Sequence, residues 1–282
     1  MMRENLSAME RRQQYLKRAQ ALESERSSWI SHWKDLSEYL SPRTSRWLLH
    51  DRNKGGKRND SIINSTPLRA SGVLAAGMMT SITSPARKWF TLTIPGASRG
   101  EEVKGTQRQD LREVKAWLAL VERELYEILA GSNIYSALSA VYLDLGTYAL
   151  SSVYIEEDER DVVRAYLFPL GSYCLSNSAR LSVDTVYRKF AMTTGQLVEK
   201  FGRERVSDDV RDAYDRRQLD AWHSVLHIIE PNPAANLGKL DAPSKPYRSV
   251  WLELAGGEPG REFLREAGYD EFPAIVPRWS LT

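Results

Sequence analysis

Apolar residues recur at helical spacing from Leu6 to Leu40, where Leu16, Ala19, Leu22, Trp29, Ile30, Trp33, Leu36, Tyr39 and Leu40 are separated by Arg, Lys and Glu. That spacing predicts a long helix or a broken pair, ended at Ser41-Pro42 because the residue before a proline is pushed away from helical dihedrals. Arg43 to Asp60 is polar and basic and carries Gly55-Gly56, the texture of an exposed loop. Thr66-Pro67 is a helix start signal, a hydroxyl followed by a proline whose missing N–H costs nothing in the first turn. The helix runs to about Ile82, and Ala70, Gly72, Ala75, Ala76 and Gly77 fill it with small side chains that permit another backbone to approach closely. Ser84-Pro85 stops it, and the alternation of Trp89-Phe90-Thr91-Leu92-Thr93-Ile94 predicts a short strand before Pro95-Gly96.

A further helix is predicted over Leu111 to Ala130, with Leu111, Val114, Trp117, Leu118, Val121, Leu125, Ile128 and Leu129 on one stripe and Gly131 after it. Ser132-Asn133 leads into another, Ile134 to Gly146. Beyond it the pattern changes to strands, at Ser152 to Ile155, Val162 to Phe168, Val183 to Phe190, Trp222 to Ile229 and Tyr247 to Leu254. Short helices interrupt them at Thr194 to Phe201 and Ser207 to Arg217, and Pro231 to Pro246 is too rich in Pro, Asn and Gly for regular structure. Phe272 to Trp279 resembles the beginning of a buried segment. The fold class is α+β, with long N-terminal helices in 1–150 and a strand-rich part in 151–282.

Composition narrows the function more than the fold. With 282 residues, 39 Lys plus Arg against 37 Asp plus Glu and a net charge of +2, the chain has no whole-molecule basic field for gripping nucleic acid. Its one cysteine, Cys174, excludes an intrachain disulfide and a zinc-type cysteine pair. The charged N-terminus lacks a signal-peptide core, and Val73 to Ile82 falls short of the roughly 20 apolar residues that span a bilayer, so no membrane association is expected.

No residue set carries catalysis. Gly55-Gly56-Lys57-Arg58 lacks the spacing and flanking elements of a phosphate loop, and reads as a basic solvated loop. His223 and His227 fall in a strand-like run, where i and i+4 share a face but sit roughly 13 Å apart, so a hydrogen-bonded structural histidine outweighs a metal pair. Glu156, Glu157, Asp158, Glu159 and Asp161 read as a solvated hairpin turn rather than a cation loop, and Cys174 as a core residue. No cofactor, metal or catalytic residue is expected. Among the tryptophans, Trp29, Trp33 and Trp117 lie on apolar stripes, while Trp47 beside Arg43 and Arg46 has a nucleic-acid setting.

Asp60-Ser61-Ile62-Ile63-Asn64-Ser65-Thr66 and the following run LRASGVLAAGMMTSITSPARKWFTL closely resemble the head-to-tail connecting (portal) proteins of short-tailed bacteriophages. Further landmarks agree in order: the Trp29 and Trp33 helix ending in Tyr39-Leu40-Ser41-Pro42, Trp117-Leu118, Ser132-Asn133-Ile134-Tyr135 and Asp144-Leu145-Gly146-Thr147. Val225 to Pro231, Gly268 to Pro273 and Arg278-Trp279 complete the series. Pro67 and Pro277 are the departures from the family's pattern.

The resemblance implies a structural subunit of a homo-oligomeric ring, typically of twelve, at one capsid vertex of the virion, assembled in the host cytoplasm. Such a ring passes phage DNA and docks terminase, capsid or scaffolding proteins and tail adaptors. Family members are about twice this long, which implies a wing-like portion truncated before the stem, with stem, clip and crown largely missing. Arg43, Arg46, Lys54, Lys57 and Arg58 are the candidate DNA contacts, and Ala70, Gly72, Ala75, Ala76 and Gly77 the candidate subunit-packing residues. The competing reading is a soluble nucleic-acid-binding module unconnected with capsids, resting on that same basic stretch beside Trp47.

Overall fold

Ser7 opens the first helix with a capping box: its hydroxyl accepts from the Glu10 N–H while the Glu10 carboxylate accepts from the Ser7 N–H at 2.8 Å. The computed structural model describes residues 7–42, 62–94, 108–236, 238–239, 241–257 and 261–280. Helix α1, Ala8–Leu40, runs unbroken for 33 residues and ends at Ser41, before Pro42. The proposed loop 43–60, with Trp47, lies outside the described residues.

Contacts divide the chain into two units, Met1–Ser61 with Phe168–Ala274, and Ile62–Leu167 with Ile275–Thr282. The change from helices to strands near residue 150 falls inside the second unit.

In the first unit, β3 (Tyr173–Asn177), β4 (Val183–Thr193), β5 (Trp222–Pro231), β6 (Tyr247–Glu253) and β7 (Arg265–Tyr269) form an antiparallel meander in chain order. One face is covered by α1, whose Tyr15, Ala19 and Leu22 pack with Cys174, Tyr187, Leu226, Ile228, Val250 and Leu252. Against the other face, Leu197 of α5 (Thr194–Phe201) and Val210 of α6 (Asp208–Asp215) meet Val225, Trp251 and Leu264. With both faces covered, β5 is buried at every position from Val225 to Glu230. A 3-10 turn, Ala242–Ser244, punctuates the expected loop between β5 and β6. Gly268 belongs there for a steric reason, since a Cβ on it would lie 2.3 Å from the Ala242 carbonyl oxygen.

The second unit holds α2 (Thr66–Ile82), α3 (Arg108–Gly131), α4 (Ile134–Tyr148), the hairpin of β1 (Val153–Asp158) with β2 (Val162–Leu167), and Ile275 of β8 (Ala274–Ile275). Ile134, Val141, Val153 and Ala165 form its buried cluster. Helix α2 begins one residue earlier than the Thr66-Pro67 signal suggests. Ser65 is the cap position, and Asn64 Oδ1 accepts from the Thr66 N–H at 2.9 Å. The Ser151 N–H donates to the Pro277 carbonyl and the Trp279 N–H to that of Ala149, so the 277–279 segment lies along the end of α4. Of the expected buried stretch 272–279 only Ala274 is fully buried, while Ile275 and Trp279 are exposed.

Candidate functional site: an apolar helical surface and two buried charge centres

Helix α2 packs on α4, and Gly146 is where they meet: a Cβ there would lie 2.9 Å from Leu74 Cδ2. Of the five small-residue candidates, Ala75 is buried in this packing, whereas Ala70, Gly72, Ala76 and Gly77 are exposed. A Cβ added at Gly72 or Gly77 would meet nothing within 4 Å. Large apolar side chains share the exposure. Leu68, Val73, Leu74 and Ile82 on α2 and Val114, Trp117, Leu120 and Leu125 on α3 all face solvent, Val73 at 73% and Trp117 at 60%. The apolar stripe of α3 is therefore real but covered only in part.

The covered part of α3 holds the first charge centre. Residues 89–94 alternate between more and less exposed positions as the sequence suggests, yet they join no sheet. Their backbone is held by side chains instead. Tyr126 Oη accepts the N–H groups of Trp89 and Phe90 at 2.7 and 2.8 Å and donates to the Phe90 carbonyl at 2.8 Å. Glu122 accepts from the Leu92 N–H at 3.1 Å and from Lys88 Nζ at 2.6 Å, and the lysine, then the amide, hold its carboxyl below the usual carboxylate range. Asn133 plays a similar part on β2, accepting from the Ala165 N–H at 2.8 Å and donating to its carbonyl at 2.7 Å, as a strand neighbour does.

In the first unit the second centre surrounds Glu230. This carboxylate is 2% exposed and sits opposite Arg248 across the β5–β6 ladder. It accepts from Tyr187 Oη at 2.8 Å, Arg18 Nη1 at 2.9 Å, and Arg248 through Nε at 2.9 Å and through Nη2. Burial, and then the neighbouring Glu230, push the Tyr187 hydroxyl far above its ordinary value. A cleft of about 250 Å³ opens above this centre, between α1 and the sheet.

The remaining candidates resolve structurally. His227 is buried, stacked on Trp251 at 3.8 Å, with Nε2 3.0 Å from Ser249 Oγ, and burial holds its pKa well below the ordinary value. His223 Nε2 meets Thr194 Oγ1 at 3.0 Å. Asp158 caps the acidic turn by accepting from the Arg160 and Asp161 N–H groups, each at 2.9 Å, and these amides lower its pKa. Cys174 is a buried core thiol, pushed up to about 11 by burial. Trp33 is buried on its stripe while Trp29 is exposed. Arg43, Arg46, Lys54, Lys57 and Arg58 lie outside the described residues.

The sequence reading missed both charge centres. A signal existed: Glu122 and Tyr126 follow Leu118 at four-residue spacing on the apolar stripe, and Glu230 ends the apolar run of β5, so each acid stands where burial demands a partner.

Among the described residues, no helix is long and apolar enough to cross a membrane. The sequence is 42% identical over 270 residues to the portal protein of Salmonella phage epsilon15, covering 96% of this chain and 47% of that one. It is 40% identical over 260 residues to a probable portal protein of Bordetella phage BPP-1, covering 92% of this chain and 45% of that one. The chain thus spans about half the length of these curated relatives. Residues 12–282 match the bacteriophage head to tail connecting protein family, and the chain belongs to that family.

Proposed function

We propose that this chain is the wing-forming part of a phage portal subunit, a structural component of a homo-oligomeric ring at one capsid vertex. In this reading phage DNA passes through the ring during packaging and ejection, and the assembly docks terminase, capsid or scaffolding proteins and tail adaptors. The ring contains twelve copies, is built in the host cytoplasm and ends in the virion. Arg43, Arg46, Lys54, Lys57 and Arg58 supply contacts to DNA phosphates. The role is mechanical rather than catalytic, and the buried Glu230, Glu122 and His227 are engaged in holding structure together.

The observation that carries the proposal is the exposed apolar surface of α2 and α3 in a chain of portal kinship. A closed ring requires a heterologous contact repeated around an axis, and small residues such as Gly72, Ala76 and Gly77 allow a neighbour's backbone to come close. Sedimentation of Val73→Asp beside the parent chain tests this. Expected is concentration-dependent association of the parent that the variant loses while its thermal midpoint is unchanged. Equal association by both would remove α2 from the interface.

A further inference from the structure

The cleft between α1 and the sheet has a surplus of hydrogen-bond donors. Lys17, Arg18 and Arg248 line it together with Gln14 and Tyr15, and its one carboxylate, Glu230, is already occupied by Arg18, Arg248 and Tyr187. Arg18 commits a single nitrogen to that carboxylate and keeps a partly exposed side chain. Among the described residues Lys17, also exposed, forms no ion pair. The Tyr15 hydroxyl, on a side chain 5% exposed, is buried without a hydrogen-bond partner among the described residues. A buried hydroxyl left so costs about 1–3 kcal/mol unless a partner arrives.

Donors without acceptors define the complement: an anion rich in acceptor oxygens. At about 250 Å³ the cleft is smaller than the roughly 300–1,000 Å³ of pockets that engulf drug-sized ligands, so it fits a compact head group rather than an enclosed molecule. We infer that this cleft binds a phosphate group, with Lys17 and Arg18 as the charged contacts and the Tyr15 hydroxyl donating once the cleft is filled. The site stands on the first unit alone and does not depend on the portal reading. A free phosphate and a nucleic-acid backbone present the same chemistry, and the experiment separates them.

Calorimetric titration of the purified chain at low ionic strength with inorganic phosphate, and separately with a short DNA duplex, is the test. Phosphate is expected to bind saturably, with about tenfold weaker affinity in Lys17→Glu and about threefold weaker in Tyr15→Phe. Neither variant should lower the thermal midpoint: Lys17 is exposed and forms no ion pair among the described residues, and Tyr15→Phe, which removes a buried unpartnered hydroxyl, should leave the midpoint level or raise it. If the natural source is a nucleic-acid backbone, Lys17→Glu also weakens the duplex and free phosphate competes with it. If it is free phosphate, duplex affinity is the same in parent and variant. Absence of saturable phosphate binding, or binding that Lys17→Glu leaves untouched, overturns the inference.

Discussion

Replacing Glu230 by Gln removes one charge from a carboxylate that serves two arginines while keeping its shape. Arg18, with a side chain 39% exposed, can turn to water at little cost. Arg248 cannot do so as easily, since its side chain is 21% exposed and held in the β5–β6 ladder. Removing one partner of a fully buried pair costs roughly 3–5 kcal/mol. Partial hydration of Arg248 brings the expected loss to about 2–3 kcal/mol, because water screens what the carboxylate no longer does. At about 2–4 °C per kcal/mol for a unit of this size, the thermal midpoint should fall by roughly 4–12 °C. Urea unfolding should show a lower midpoint concentration with an unchanged slope. The double variant Glu230→Gln/Arg248→Met should lose less than the sum of the single losses, since it leaves no stranded charge. A Glu230→Gln chain within about 0.5 kcal/mol of the parent, or strict additivity in the double variant, would refute the reasoning.

Tyr126→Phe strips the acceptor from the Trp89 and Phe90 N–H groups, and should cost about 1–3 kcal/mol and speed amide exchange at those two positions selectively. Asn133→Asp keeps the acceptor for the Ala165 N–H but loses the donor to its carbonyl, so about 1–3 kcal/mol of unfolding free energy should disappear while Asn133→Gln loses comparably through misplacement. Burial raises Asp144 from the usual carboxylate value to about 7, so the fold favours its protonated form. Stability from this group is then full at pH below about 4 and is lost as pH rises through about 7. Asp144→Asn should flatten that decline and gain up to about 4 kcal/mol at pH 8, less the cost of burying the amide, measured by urea unfolding across pH.

Helices were legible wherever a stripe coincided with a stop signal, as in α1 ending before Pro42 and α5 ending before Gly202. Central strands were legible because β5 and β6 carry β-branched and aromatic runs. The edge strands of the five-stranded sheet were not. β3 is five residues ending in Ser-Asn, and β7 carries Arg265, Glu266 and Gly268, residues suited to a sheet edge and poor as a strand signal. The 89–94 segment fails in the opposite direction: its alternation is a true two-sided pattern, but α3 side chains replace the strand that pattern implies. Such substitution of side chain for ladder is a tertiary fact, invisible to local periodicity. Close packing within the chain at α2 was legible only in outline. Small residues on α2 identified the helix, but Ala75 could be told from Ala76 only once α4 was in place.

Electron cryomicroscopy of the self-associated chain puts the central claim to its most direct test. A closed ring is expected in which each contact covers Val73 and Trp117 with a different surface of the neighbouring copy. Closed rings joined elsewhere, with α2 left in solvent, or open aggregates without a repeated contact, would contradict it.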